Sequence, residues 1–226
     1  MDFSENYSSK SQDDLQQTYF GKNQISLFTV VAYVGTRMKK ISIVIANDNC
    51  SHSKEQVFYY MRLIVDELKK ERQDLKKIFF VSDDAGSQFN YRFILTNMMQ
   101  AKSDLGVNVQ WDFFPTSHGK SPADGLGGTV KRGVCARVLS GSHLVYNAKE
   151  FVECAKSFCK TSTRLICVTD DDMRETFKML KIRWANTKAL IGTRSYHHFK
   201  PAENGKDLLA AVSSIQDDPK TFKNRV

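Results

Sequence analysis

Two β-branched runs stand close together near the start of the chain, ISLFTVVAYV at 25–34 and ISIVIAND at 41–48, with only GTRMKK between them. Runs this rich in Val, Ile and aromatic residues read as strands. A connection this short returns the second strand alongside the first, so an antiparallel hairpin is expected. A helix comes next: Ser53 is placed to cap it with Gln56 three residues on, and Val57, Met61, Ile64, Val65 and Leu68 recur on one face. Then KKIFFVSDD at 76–84 is apolar without alternation and ends in two aspartates, the pattern of a parallel, central strand buried on both faces.

Residues 87–103 read as a helix with Phe89, Phe93, Ile94 and Met98 inward, and VNVQWDFF at 107–114 turns Val107, Val109, Trp111 and Phe113 to one side. The loop PTSHGKSPADGLGG leads into a helix carrying Val130, Val134 and Val138. If DFSENY at 2–7 is the stub of a further strand, the order is β, β, β, α, β, α, β, α. That is the succession of an α/β, RNase H-like domain, a mixed sheet with helices on both faces, here expected to be truncated at its N-terminus because Met1 directly precedes Asp2. The expected organisation is a core over 1–140, an α/β extension over 141–205 and a polar tail over 206–226. Within the extension, Asn147 with Glu150 starts a helix, 164–169 is a strand, 171–184 a helix and 188–199 another strand.

At 226 residues with 41% hydrophobic content, the chain has material for one substantial packed domain with an appendage, which excludes wholesale disorder. Lys+Arg 33 against Asp+Glu 25 leaves +8, a balance that favours polyanionic partners. The 5 cysteines include no C-x-x-C pair, so neither a disulfide framework nor a zinc ribbon is expected. The start, MDFSENYSSK, is polar and acidic where a signal peptide is basic then apolar, and no run approaches the ~18 apolar residues of a membrane span. These features describe an intracellular, reduced chain with no membrane partner. Trp111, Trp184 and the Phe-rich runs read as core, and His197-His198 as a packing or interaction feature.

Open α/β sheets place their sites outside the carboxyl ends of strands, which singles out Asp83 and Asp84. In a strand these two point to opposite faces, so at most one joins a shared site while the other caps the next helix or turn; alternatively both simply start a helix. Asp2 lies on the first strand, which in this topology neighbours the strand ending at Asp83, and Asp124 lies at the start of the helix after the last strand. Two carboxylates about 4 Å apart repel by roughly 4 kcal/mol at an effective dielectric near 20. Divalent cations turn that repulsion into a reason for convergence, stabilising the attacking and leaving oxygens of a phosphodiester. Hard oxygen ligands suit Mg²⁺, with Mn²⁺ as a substitute. Asp124 has a local explanation too: Ser121 as N-cap, Pro122 as first helical residue and Asp124 as the acid of a capping box. The glycines and cations of SHGKSPADGLGGTVKR, with Lys131 and Arg132 just inside the helix, suit a phosphate, although the G-x-x-x-x-G-K-[ST] spacing is absent.

Three segments, DFSENY at 2–7, SDDAGSQFNYR at 82–92 and SHGKSPADGLGGTVKR at 117–132, resemble the blocks of a transposon-derived animal protein family that usually reads DFAENY, SDGAASQFKNR and SHGKGxCDGxGGxVKR. The likeness extends more loosely through YNAKEF and ALIGTRSYHHF to about residue 201. It implies an RNase H-like transposase core of the DDE/DDD type, acting on DNA, with Asp2, Asp83 and Asp124 as metal carboxylates and His118 and Lys120 close to the scissile phosphate. A DNA partner carries with it the expectation of a nuclear location, and a homo-oligomer is compatible with the class. Three departures stand out: Asp84 replaces the family's Gly after the second acid, Asn90-Tyr91 its Lys-Asn, and Ala123 its Cys. They leave open a second expectation, a catalytically inactive nucleic-acid-binding or protein-interaction module of the same fold. A phosphate-ligand enzyme using the glycine-rich loop is a third.

Overall fold

The computed structural model describes residues 1–8, 23–83, 91–114, 121–188, 192, 195–204, 207–214 and 219–222. The described strands are β1 (Asp2–Ser8), β2 (Gln24–Val34), β3 (Lys39–Asn47), β4 (Lys77–Asp83), β5 (Asn108–Phe114), β6 (Thr163–Val168), β7 (His198–Pro201), β8 (Leu208–Ala211) and β9 (Lys220–Phe222). The helices are α1 (Lys54–Glu71), α2 (Tyr91–Leu105), α3 (Pro122–Leu139), α4 (Ala148–Lys156) and α5 (Asp170–Trp184). The chain is α/β, and its elements follow the expected order as far as α3. They fall into two compact units that interleave along the sequence, Met1–His52 with Lys120–Met173, and Ser53–Gly119 with Arg174–Val226.

The first unit holds a sheet in the order β1-β2-β3-β6. The expected hairpin is there: β2 and β3 pair antiparallel from Ser26 opposite Asn47 to Val34 opposite Lys39. β1 pairs antiparallel with β2, with a bulge between Ser4 and Tyr7, and β6 adds in parallel to the far side of β3. One face of this sheet carries Tyr7, Ile25, Leu27, Val44 and Ala46, which pack with Val130, Val134 and Val138 of α3 and with Phe151 and Val152 of α4. These valines recur at i and i+4, so one stripe of α3 meets the sheet. The start of α4 is the expected one, Asn147 Oδ1 accepting from Glu150 N at 2.9 Å.

The second unit holds a sheet in the order β4-β5-β7-β8-β9. β4 and β5 are parallel and in register from Lys77 opposite Asn108 to Asp83 opposite Phe114. The expected alternation in β5 holds, with Val109, Trp111 and Phe113 buried. Trp111 Nε1 donates to Ser82 Oγ at 3.0 Å, which satisfies two otherwise buried polar groups. α1 begins with the expected capping box between Ser53 and Gln56. Phe58, Phe93, Leu180 and Trp184 form a cluster joining α1, α2 and α5, and Lys54 Nζ lies 4.8 Å from the Phe93 ring centroid.

Three expectations change. β4 is parallel but stands at the end of its sheet, and only one of its faces is buried: Ile78 and Phe80 are covered whereas Phe79 is 58% exposed beneath the Lys77 ammonium. An unbroken apolar run carries no periodicity, so it does not report which of its residues face water. The polar tail from 206 is in part β8 and β9, with Leu208, Ala210, Ala211 and Phe222 buried. Strands of 4 and 3 residues are too short to alter the composition of the segment around them. Of the strand expected over 188–199, residues 189–191, 193 and 194 lie outside the described residues, and the described strand is His198–Pro201. The described strand pairings do not show the single RNase H-like sheet: among them β1 and β4 belong to different sheets.

Candidate metal centre

α3 begins as the sequence spacing predicts. Ser121 is its N-cap, Pro122 opens the first turn, and Asp124 completes a capping box in which Asp124 Oδ2 accepts from Ser121 N at 2.9 Å and Ser121 Oγ accepts from Asp124 N at 3.3 Å. The two reciprocal bonds satisfy donors that a helix start leaves unpaired. One turn further on, α3 comes down on the sheet at Gly127, where a Cβ would lie 2.5 Å from Ser4 Oγ, 2.9 Å from Ser4 Cβ and 3.4 Å from Thr29 Cγ2. Only glycine permits that approach.

This contact bears on where Asp2 and Asp124 stand. Thr29 is the cross-strand partner of Asp2, and its Oγ1 donates to the Asp2 carbonyl oxygen at 3.3 Å. Directly opposed residues share a face, as do residues two apart in a strand, so Asp2, Ser4 and Thr29 all belong to the face that α3 covers. Farther along the helix, Lys131 Nζ donates to the Glu5 carbonyl oxygen at 2.9 Å. α3 therefore advances in the same sense as β1, and Asp124, one turn before Gly127, stands at the Asp2 end of that strand. Sequence spacing did not single out Ser4, Thr29 or Gly127, although a glycine one turn after a helix-starting acid is a legible sign of close packing.

The remaining candidates divide. Asp83 ends β4 in the second unit, at the carboxyl end of the parallel pair, and its carboxylate lies outside the described part of the structure, as does Asp84. His118 and Lys120 also lie outside the described residues. Lys131 is committed to Glu5, through the carbonyl bond and a 3.8 Å approach to the Glu5 carboxylate, so its charge ties α3 to β1. Arg132 is exposed and folds back toward Gly128. Among the described residues, no group of three His, Cys, Asp or Glu side chains is arranged to hold a metal ion.

Other acids of the first unit are engaged locally. Asp48 Oδ1 accepts from Ala148 N at 2.7 Å, at the start of α4, and Asp170 accepts from Asn49 Nδ2 at 3.0 Å. Asp172 accepts from Thr169 N and Thr169 Oγ1, both at 2.8 Å, and these bonds hold its carboxyl below the usual carboxylate range. His52 stacks on Phe3 at 4.3 Å and contacts Asn6 Oδ1 at 3.0 Å. Burial lowers its pKa, and because Phe3 alternates with Asp2, this imidazole belongs to the opposite face of β1.

The profile of the family described as "Domain of unknown function (DUF8701)" matches residues 1–213. The chain belongs to the DUF8701 family. No curated protein and no solved structure matches it. The matched span of this DUF8701 chain includes Asp2, Asp83 and Asp124 and both compact units up to β8. No described helix of the DUF8701 chain is long and apolar enough to cross a membrane.

Proposed function

We propose that the chain is a transposase-like, RNase H-like core that processes DNA phosphodiesters with divalent cations, Asp2, Asp83 and Asp124 being the ion ligands. The observation that carries this reading is the Gly127 contact, which sets Asp124 and Asp2 at the same end of one sheet face. Two hard-oxygen side chains meet the donor chemistry of Mg²⁺ or Mn²⁺. The capping box uses Asp124 Oδ2, which fixes the side chain and leaves Oδ1 outside the cap. The reading requires the Asp83 carboxylate to reach the same ions.

When bound, the ions would supply Lewis acidity to a scissile phosphate and its nucleophile. The chain's own part is to hold its carboxylates in place, Asp124 by its cap and Asp2 by its place in the β1–β2 ladder. His118 and Lys120, by resemblance, would lie against the phosphate. DNA as substrate, and a nuclear place of action with it, are part of the proposal.

The test is nicking of supercoiled plasmid with and without Mg²⁺. The reading expects Mg²⁺-dependent nicking that is lost in Asp2→Asn, Asp83→Asn and Asp124→Asn. A second reading, a non-catalytic nucleic-acid-binding module, is favoured by the complete capping box of Asp124 and the Lys131–Glu5 tie, both sufficient structural reasons for these residues. It expects salt-sensitive DNA binding with no nicking under any metal.

A further inference from the structure

We infer that the outer half of the β2–β3 hairpin is an arm that grips the phosphate backbone of duplex DNA. β1 ends its pairing at Asp2 opposite Thr29. Beyond that point β2 continues from Val30 to Val34 and remains hydrogen-bonded to β3 as far as Lys39. On the other side, β6 accompanies β3 only from Ser42 onward, so at about 3.3 Å per residue the two-stranded part, residues 32–34 with 39–41, extends roughly 10 Å past both neighbours. Ile41 is still buried there, but the other side chains toward the tip differ from those of the paired sheet. Tyr33 is 51% and Met38 62% exposed, and Arg37, Lys39 and Lys40 are all exposed.

Charge selects the partner. The sequence from Val30 to Asn47 contains no Asp or Glu, so neither strand of the arm supplies a carboxylate to Arg37 or Lys40. Tyr33 lies opposite Lys40 in the ladder, which puts an aromatic ring and an ammonium on the same face of the ribbon. A two-stranded ribbon fits the major groove, where cations meet phosphates and an exposed tyrosine meets sugars or base edges. Lysines on a hairpin can also serve only to keep it from pairing with other chains, and that role makes no use of DNA.

The choice of DNA rests on the proposed function, so the experiment is built to fail separately from it. Binding of a short labelled duplex to the full chain is followed by anisotropy in EDTA, across a salt series, where no cleavage chemistry contributes. Each phosphate contact contributes about 0.9 to the slope of log K against log salt. Arg37→Gln/Lys40→Gln is therefore expected to lower that slope by about 1.8. The control Lys102→Gln/Lys181→Gln removes the same charge from exposed positions of the second unit and is expected to leave the slope nearly unchanged. Tyr33→Ala should weaken binding without changing the slope. Equal losses in the two double variants, or no loss in the arm variant, overturn the arm. So does binding to phosphatidylserine vesicles with none to duplex. A chain that binds through the arm yet never nicks plasmid keeps this inference and removes the catalytic one.

Discussion

The two halves of α3 do different things on the same sheet. The C-terminal half presents Val130, Val134 and Val138 to Tyr7, Leu27 and Phe151, an apolar stripe that could pack against many β faces. The N-terminal half, PADGLGG, has almost no apolar bulk, yet it makes the closest approach, at Gly127 against Ser4 and Thr29. Burial holds the helix down in one half. In the other, the absence of a side chain lets the helix come down on Ser4 and Thr29. The difference teaches that the valines supply stability while the glycines set position.

The largest effect should come from the apolar half. Phe151→Ala empties the centre of the shared core and is expected to cost about 3–5 kcal/mol in urea denaturation, with the m-value unchanged. Next comes Tyr7, whose buried hydroxyl has no partner among the described residues and whose pKa burial pushes up to about 12. A raised value favours the neutral hydroxyl in the folded chain. Stability is then intact below the unfolded value near 10 and falls as pH climbs toward 12, by about 2–3 kcal/mol in all. In Tyr7→Phe that alkaline loss should vanish from the pH dependence of unfolding.

The glycine half gives smaller effects of opposite sign. Gly127→Ala places a Cβ 2.9 Å from Ser4 Cβ, a clash that rotating the serine cannot relieve, and should cost about 1–3 kcal/mol. Gly125→Ala meets nothing within 4 Å and should stabilise by about 0.5–1 kcal/mol through helix propensity. If the two alanines behave alike in thermal melts, the close approach is not what positions α3. Ser121→Ala, which removes the cap acceptor, should cost about 1 kcal/mol. Asp124→Asn keeps an acceptor for Ser121 N, so it should leave stability nearly intact while removing a charge from the proposed ion site.

Much of this division is legible in the sequence alone. The starts at Ser53, Ser121 and Asn147 depend on bonds between residues three apart, so the sequence displays them directly. The alternation of Val107 to Phe113 reports its buried face for the same reason. Pairings between distant segments are another matter. Nothing in RLICVT indicates that β6 lies beside β3, and KTF does not stand out from the polar residues around it, whereas the short apolar run LLAAV at 208–212 is visible but is hidden when the segment is judged by its overall composition. The part-buried pair of His198 with Asp112 joins residues from separate strands, so the sequence shows it only as a polar residue within an alternating strand. At the candidate site, the acids were legible as strand-end and helix-start residues. Their neighbours Ser4 and Thr29 were not, because a contact through a missing side chain leaves no apolar signature.

The most direct measurement is Fe²⁺-directed backbone cleavage of the full chain with ascorbate and peroxide, the cut sites read by mass spectrometry. Iron occupying the proposed site should cut near Asp83 and near Asp124 in the same molecules, and excess Mg²⁺ should suppress both cuts together. Cleavage at only one of them, or cuts near Asp170–Asp172 that Mg²⁺ suppresses instead, would contradict a shared ion site.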